Sequence, residues 1–175
     1  LIEALATDHE LVGWNGLGLA IQAYQKRALP LLDWLADLAH RGQRRLLVRL
    51  CKGAYWDAEI KIAQERGHAD YPVFTRKVTS DVSYLACARR LFSDPQAFYP
   101  AFATHNAHTL AAVAEIAISS GGSDEWEYQR LHGMGEELYD QIVGAKKWNR
   151  PCRVYAPVGS HEDLLAYLVR RLLEN

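Results

Sequence analysis

In the stretch "RLLVRLCKGAYWD", Arg49 stands among Leu46, Leu47, Val48 and Leu50. A guanidinium in such surroundings is costly unless it is paired or faces a polar cavity. Lys52 then precedes Gly53, whose missing side chain lets a ligand approach the backbone, and Tyr55 and Trp56 offer flat surfaces nearby. A cationic pair beside a glycine and aromatics suits a planar, anionic, phosphate-bearing ligand. Two alternatives stay open. Arg49 can pair with a neighbouring carboxylate beside a core Trp56, and Lys52 is also the residue type that forms Schiff bases.

A second group is "FATHNAHT", which sets Thr104, His105 and Asn106 at the end of a β-like run, with His108 close behind. Metal binding by the two histidines needs carboxylate or further histidine ligands at matching strand ends. None is evident, so hydrogen bonding is the expected use and no metal is expected. The GxG of "YQRLHGMGE" lacks the later glycine of the dinucleotide fingerprint, and "GWNGLG" precedes a β-like run instead of following one. Both mark tight turns.

The third group lies in "SHEDLLAYLVRRLLEN". Ser160, with Asp163 three residues later, is a variant capping box that starts a helix. At about 100° per residue, Leu164, Leu165, Leu168, Val169 and Leu172 share one face, and Tyr167, Arg170, Arg171 and Glu174 share the other. Pattern alone makes the arginine stripe a solvated face, with an ordinary i,i+4 contact from Arg170 to Glu174.

These residues are carried by an alternation of short β-like runs and longer amphipathic ones. "LGLAIQA" precedes "ALPLLDWLADLAH", "RRLLVRLCK" precedes "YWDAEIKIAQERG", and "AFATHN" precedes "AHTLAAVAEIAI". "WEYQRLHGM" then precedes a predicted helix over "EELYDQIVGAKKW", and "PCRVYAPVG" precedes the last helix. Pro72 makes "YPVFTRKV" a loop or helix entry rather than a further strand, with the helix "SDVSYLACARRLF" directly after it. "SSGGSDEW" is a tight connection, not a linker. Five consecutive βα units imply a parallel sheet covered by helices, either open and doubly wound or part of a barrel. Polar residues stand at the ends of all five runs: Gln22; Arg49 with Lys52; Thr104, His105 and Asn106; Gln129 with His132; and Tyr155. An open sheet needs such residues only at its switch point, so the barrel is favoured.

Composition narrows the classes further. Apolar residues make up 49% of the 175 and the net charge is -1, with no basic block to bind nucleic acid. Cys51, Cys87 and Cys152 are odd in number, widely spaced and without CxxC, which argues against a disulfide framework or a structural zinc and for a reducing compartment. No apolar run approaches the roughly 20 residues of a spanning helix, and "LIEALATDHE" lacks the order of a signal peptide. A cytoplasmic location is expected, and the initial Leu suggests a piece of something longer.

Taken together, "RLCKGAYWDAEI", "YPVFTRKVTSDVSYLACA", "FATHNAHT", "YQRLHGMGE" and "RVYAPVGSHEDLLAYLVRRLLEN" resemble the proline dehydrogenase domain of the bacterial bifunctional proline-utilisation (PutA) flavoproteins. The likeness runs through essentially the whole chain. It implies a distorted (β/α)8 barrel that binds FAD, oxidises L-proline to Δ1-pyrroline-5-carboxylate and passes electrons to membrane quinone. It further implies peripheral membrane association of the whole protein and, in the full-length chain, an aldehyde dehydrogenase domain. Residues 1–175 would supply the later strands and the final helix, with the early strands absent.

The resemblance also implies roles. Arg49 would face the flavin near N5, with Gln22, Lys52, Gly53, Ala54 and Trp56 along its path. Thr75, Arg76 and Lys77, and Thr104, His105 and Asn106, would hold the pyrophosphate, ribityl or adenosine parts, and Gln129 and Glu174 would complete the cofactor set. Arg170 and Arg171 match the pair that grips the proline carboxylate. Tyr155, Tyr167 and Leu131 would enclose the ring, with Tyr55 a further pocket candidate.

Departures are small: Ser80 stands where Thr is usual, and Cys51 where an apolar residue is common. The larger one is that the family's aspartate partner for the second arginine belongs to the early strands, which would leave Arg171 less ordered here. The isolated 175 residues are therefore expected neither to bind FAD tightly nor to turn over proline. Rival readings are an aldolase-like barrel using Lys52 and a proline-responsive repressor role of a longer chain.

Overall fold

A computed structural model describes residues 1–121, 124–144 and 146–175. A short helix α1 (Ile2–Ala6) leads into β1 (Gly18–Gln22), α2 (Ala28–Arg41), β2 (Leu46–Cys51), α3 (Trp56–Glu65) and α4 (Lys77–Phe92). Then follow β3 (Phe98–Ala103), α5 (Ala107–Ser119), β4 (Glu127–Leu131), α6 (Glu136–Tyr139), β5 (Cys152–Tyr155) and α7 (His161–Glu174).

All four strand pairings are parallel and the sheet order is β1-β2-β3-β4-β5. Strands added one after another in a single direction leave no switch point, so α2, α4 and α5 collect on one face as in a barrel wall. That face is the core. α4 packs on β2 and β3 and lies between α2 and α5. Leu46, Val48 and Leu50 of β2 and Phe98 and Phe102 of β3 point into it with Leu35, Tyr84 and Leu91, all fully buried. Trp126 joins Phe92, Phe102 and Tyr128 in edge-to-face contacts at 4.9–5.7 Å.

The alternate residues of each strand form the other face. Ala20, Arg49, Ala101 and Glu127 lie in one register row. Ala103, Gln129 and Arg153 form a row nearer the carboxyl ends, and Leu131 pairs with Tyr155. Chemistry-bearing side chains thus share one side of the sheet, and the helix-facing side is left to packing.

Two expectations are corrected. The helix predicted over "EELYDQIVGAKKW" is the single turn α6, after which the chain turns through Gly144 at φ 103°; Ala145 lies outside the described residues. Burial of Tyr139 and Ile142 fixes this segment by tertiary contacts rather than by helical repeat. The arginine stripe of α7 is not solvated: Arg171 and Glu174 are buried, whereas Leu165, Val169, Leu172 and Leu173 are exposed. The cause is position, because the end of α7 sits over the carboxyl ends of β2 and β3, where Gly53, His105 and Asn106 supply partners for polar groups.

Other expectations hold. Val73 makes only an isolated bridge to Gln25 before α4 begins, so "YPVFTRKV" is a loop and helix entry. Ser160 caps α7, accepting from the Asp163 N–H at 3.3 Å and donating to its carboxylate at 2.8 Å. Among the described residues, no helix is long and apolar enough to cross a membrane.

Candidate active site at the carboxyl ends of the strands

Arg49 leaves β2 between two alanines of its register row, which give its long side chain room to lie along the sheet. Its Nε donates to Gln129 Oε1 at 2.9 Å, and the guanidinium lies 4.9 Å from the centre of the Tyr155 ring. The expected alternative of a direct carboxylate partner gives way to a neutral amide. Gln129 Nε2 in turn donates to Glu127 Oε1 at 2.7 Å, and Glu127 takes Arg153 Nε at 2.8 Å and Nη2 at 3.0 Å. Burial pushes the Tyr155 hydroxyl up to about 12, so it stays a neutral donor.

From above, α7 lowers a second set. Glu174 Oε1 accepts the Gly53 N–H at 3.0 Å, and its Oε2 meets Arg171 Nη1 at 2.9 Å. The partner of Glu174 is therefore Arg171 at i,i+3, not Arg170 at i,i+4. Arg171 also finds its carboxylate within α7, rather than lacking one. Its guanidinium lies 4.7 Å from the Tyr167 ring centre, and that of Arg170 lies 5.0 Å from the Tyr55 ring centre. Arg171 Nε and Nη2 and Arg170 Nε are buried without a hydrogen-bond partner. Buried N–H groups of this kind are costly unless something accepts from them, and a carboxylate suits a guanidinium best.

Gly53 is needed where it stands. Its φ is 103°, and a Cβ would lie 2.5 Å from the Tyr24 ring. The loop it opens continues through buried Ala54 to Trp56, whose indole N–H donates to Phe74 O at 3.1 Å. Beyond it a cleft of about 530 Å³ runs between Tyr55, Trp56, Thr75, Lys77 and Arg170. Thr75, Arg76 and Lys77 are exposed at the start of α4. The first turn of α4 carries no side-chain cap and no acidic residue, which suits an anion, whereas that of α3 carries Asp57 and Glu59.

Lys52 is buried and bound to Asp81 at 2.7 Å, and Asp81 also holds Lys77 at 3.0 Å. Burial lowers the Lys52 ammonium, with the Asp81 hydrogen bond opposing it. The ion pair with Asp81 engages the amine and gives it a structural use other than a Schiff base. Cys51 is equally unreactive, its thiol pushed up to about 12 by burial.

At β3, Asn175 ties the expected trio together. Its Oδ1 accepts from the His105 N–H at 2.7 Å and from Thr104 Oγ1 at 3.3 Å, and its backbone O accepts from Asn106 Nδ2 at 3.1 Å. Asn106 also caps α5. His105 Nε2 accepts the Leu131 N–H at 2.9 Å, which occupies the lone pair a metal would need. Burial, with Arg130, Arg171 and Arg49 nearby, lowers the imidazole to about 4.

The structure thus brings together Arg49, Gln129 and Tyr155; Gly53, Tyr167, Arg171 and Glu174; and Thr104, His105 and Asn106. Leu131 is buried beside Tyr155 in the register, and Gln22 leaves a buried Oε1 without a partner at the end of β1. Four residues escaped the sequence reading: Asp81, Glu127, Arg153 and Asn175. Asp81 and Asn175 act on expected residues from other elements, which no local spacing announces, whereas Glu127 holds Gln129 from two places earlier on β4 and is itself held by Arg153.

A family model described as proline dehydrogenase matches residues 1–175. The bifunctional protein PutA of Klebsiella aerogenes is 61% identical over 178 residues, covering 100% of this chain and 14% of that protein. The proline dehydrogenase of Deinococcus radiodurans is 29% identical over 164 residues, covering 93% of this chain and 45% of that one. Among solved structures, PutA from Bdellovibrio bacteriovorus inactivated by N-propargylglycine is 39% identical with a TM-score of 0.88, covering 99% of this chain and 18% of that one. A Bradyrhizobium japonicum PutA structure is 57% identical with a TM-score of 0.86, covering 99% and 17%. The chain therefore spans only 14% of the length of the curated PutA relatives. The singly wound parallel sheet, the polar carboxyl edge beneath a final helix and the match over all 175 residues agree: this chain belongs to the proline dehydrogenase family.

Proposed function

We propose that residues 1–175 are the later part of the proline dehydrogenase domain of a longer, PutA-like bifunctional protein, which oxidises L-proline to Δ1-pyrroline-5-carboxylate with FAD. This is the first step of proline catabolism. The observation that carries the reading is the buried, partnerless Nε and Nη2 of Arg171 beside Tyr167, a ready grip for a carboxylate.

In the reaction C5 of proline gives up a hydride and the ring nitrogen a proton, forming the C=N bond. FAD would supply the hydride acceptor there, and a quinone the oxidant that restores it. The chain's own part is to hold and orient. Arg170 and Arg171 fix the carboxylate by charge-assisted hydrogen bonds, and Tyr155, Tyr167 and Leu131 enclose the apolar ring. Arg49 holds positive charge where the reduced cofactor gathers negative charge. Gln22, with its unpartnered buried Oε1, fits a donor on the cofactor, and the uncapped start of α4 beside Lys77 fits its phosphates. Ala54, Trp56 and Thr75 line the same cleft, next in sequence to Gly53 and Arg76, and Thr104, His105, Asn106, Gln129 and Glu174 complete the proposed cofactor set. Lys52 contributes through Asp81.

The early strands of the barrel would precede this stretch, and an aldehyde dehydrogenase domain would follow it. The whole protein would work in the cytoplasm and meet membrane quinone as a peripheral protein. The test is the visible spectrum of the full-length protein: a flavin band that bleaches on addition of L-proline is expected. FAD bound without bleaching would overturn the assignment.

A further inference from the structure

The most enclosed carboxylate of the sheet's polar face has no role in the reading above. Glu127 begins β4, is 5% exposed and faces four donors: Gln129 Nε2 at 2.7 Å, Arg153 Nε at 2.8 Å, Arg153 Nη2 at 3.0 Å and the Tyr99 hydroxyl at 3.4 Å. We propose that Glu127 is a positioning residue that sets the direction of the Arg49 guanidinium through the amide of Gln129.

A primary amide has nearly the same shape with its oxygen and nitrogen exchanged, so only its partners decide which end points where. A carboxylate accepts and cannot donate. Glu127 therefore draws the NH2 end of Gln129 toward itself, which turns Oε1 toward Arg49 Nε at 2.9 Å. The flipped amide would set its NH2 against the Arg49 N–H, donor against donor. Its row gives no steric help, because Ala20 and Ala101 flank Arg49, and the Tyr155 ring 4.9 Å away offers a face but no acceptor for Nε.

The charge arrangement explains why an amide stands between the two ions. Arg153 meets Glu127 with two nitrogens, one on each oxygen, so the carboxylate is neutralised by a cation other than Arg49. Arg49 receives direction from a neutral group and keeps its own charge for the site. A carboxylate at position 129 would orient Arg49 equally well and cancel that charge.

The proposal rests on placing Arg49 beside the flavin, and potentiometry of the full-length flavoprotein tests it without needing proline. The double variant E127M/R153M removes one charge of each sign, so net charge is unchanged. The expected result is a midpoint potential more negative than that of the native protein, with kcat for proline reduced about tenfold or more and KM little changed. An unchanged potential in a variant with native FAD content overturns the proposal. Should the double variant not fold, E127M, which removes the acceptor while half-exposed Arg153 stays solvated, decides by sign. Loss of a negative charge alone raises the potential, whereas misdirection of Arg49 lowers it, and an unchanged or raised value overturns the proposal. Failure of the native protein to bleach with proline would sink the proposed function instead, a result separable from either potential.

Discussion

Glu174 Oε1 accepts the backbone N–H of Gly53 at 3.0 Å, joining residues 121 positions apart, while its other oxygen holds Arg171. One carboxylate thus pins the last helix to the end of β2 and orders an arginine of the site. E174A strands a buried guanidinium and a buried N–H together. The full-length protein is expected to lose about 3 kcal/mol of stability, with a raised KM for proline, as read by denaturant unfolding and steady-state kinetics.

Arg171 separates charge from shape. R171K keeps a cation but loses the two-pronged donor set and the planar contact with Tyr167. The expected outcome is a KM for proline higher by roughly tenfold, corresponding to about 1.4 kcal/mol of lost binding, with FAD content unchanged. A flavin titration beside the kinetics checks both halves.

Gly53 admits no side chain. At φ 103°, with a Cβ lying 2.5 Å from the Tyr24 ring, G53A combines backbone strain with overlap. It is expected to cost about 2 kcal/mol or more and to lower the FAD retained on purification. Thermal unfolding and the flavin-to-protein absorbance ratio measure these.

His105 makes stability pH-dependent. Its imidazole is lowered from 6.5 to about 4, chiefly by burial. Between those values the unfolded chain binds more protons than the folded one, so this contribution is fully present above pH 6.5 and is lost as pH falls toward 4. Partial exposure keeps the slope below about 1.4 kcal/mol per pH unit. Urea unfolding at pH 7 and pH 5 should show a smaller difference in H105Q than in the native protein.

The sites at strand ends were legible because alternation fixes where a strand stops, and "CKGAYW" and "ATHN" stand at such stops. The covering of α7 was not. A helical wheel says that Tyr167, Arg170, Arg171 and Glu174 share a face, but which face is buried depends on what lies beneath, and here that is a polar sheet edge. Length misled at α6, where a helical-looking run is held by Tyr139, whose hydroxyl donates to Thr104 O at 2.7 Å. Asp81 and Glu127 stayed hidden because a carboxylate in a mixed sequence looks solvated until its lysine or arginine is placed. The resemblance to proline dehydrogenases supplied the roles of Arg170 and Arg171, which periodicity alone assigned to solvent.

Strand order adds a temporal meaning to the site. Each of β1 to β5 leaves the ribosome beside the strand just made, so the wall can assemble as it emerges. The contacts of Gly53 with Glu174 and of His105 with Asn175 wait for the far end of α7. Until then the nascent wall has its floor of arginines and amides but no roof. A stalled or truncated chain that stops before Arg171 would carry all five strands of this sheet and still lack the proposed grip on substrate.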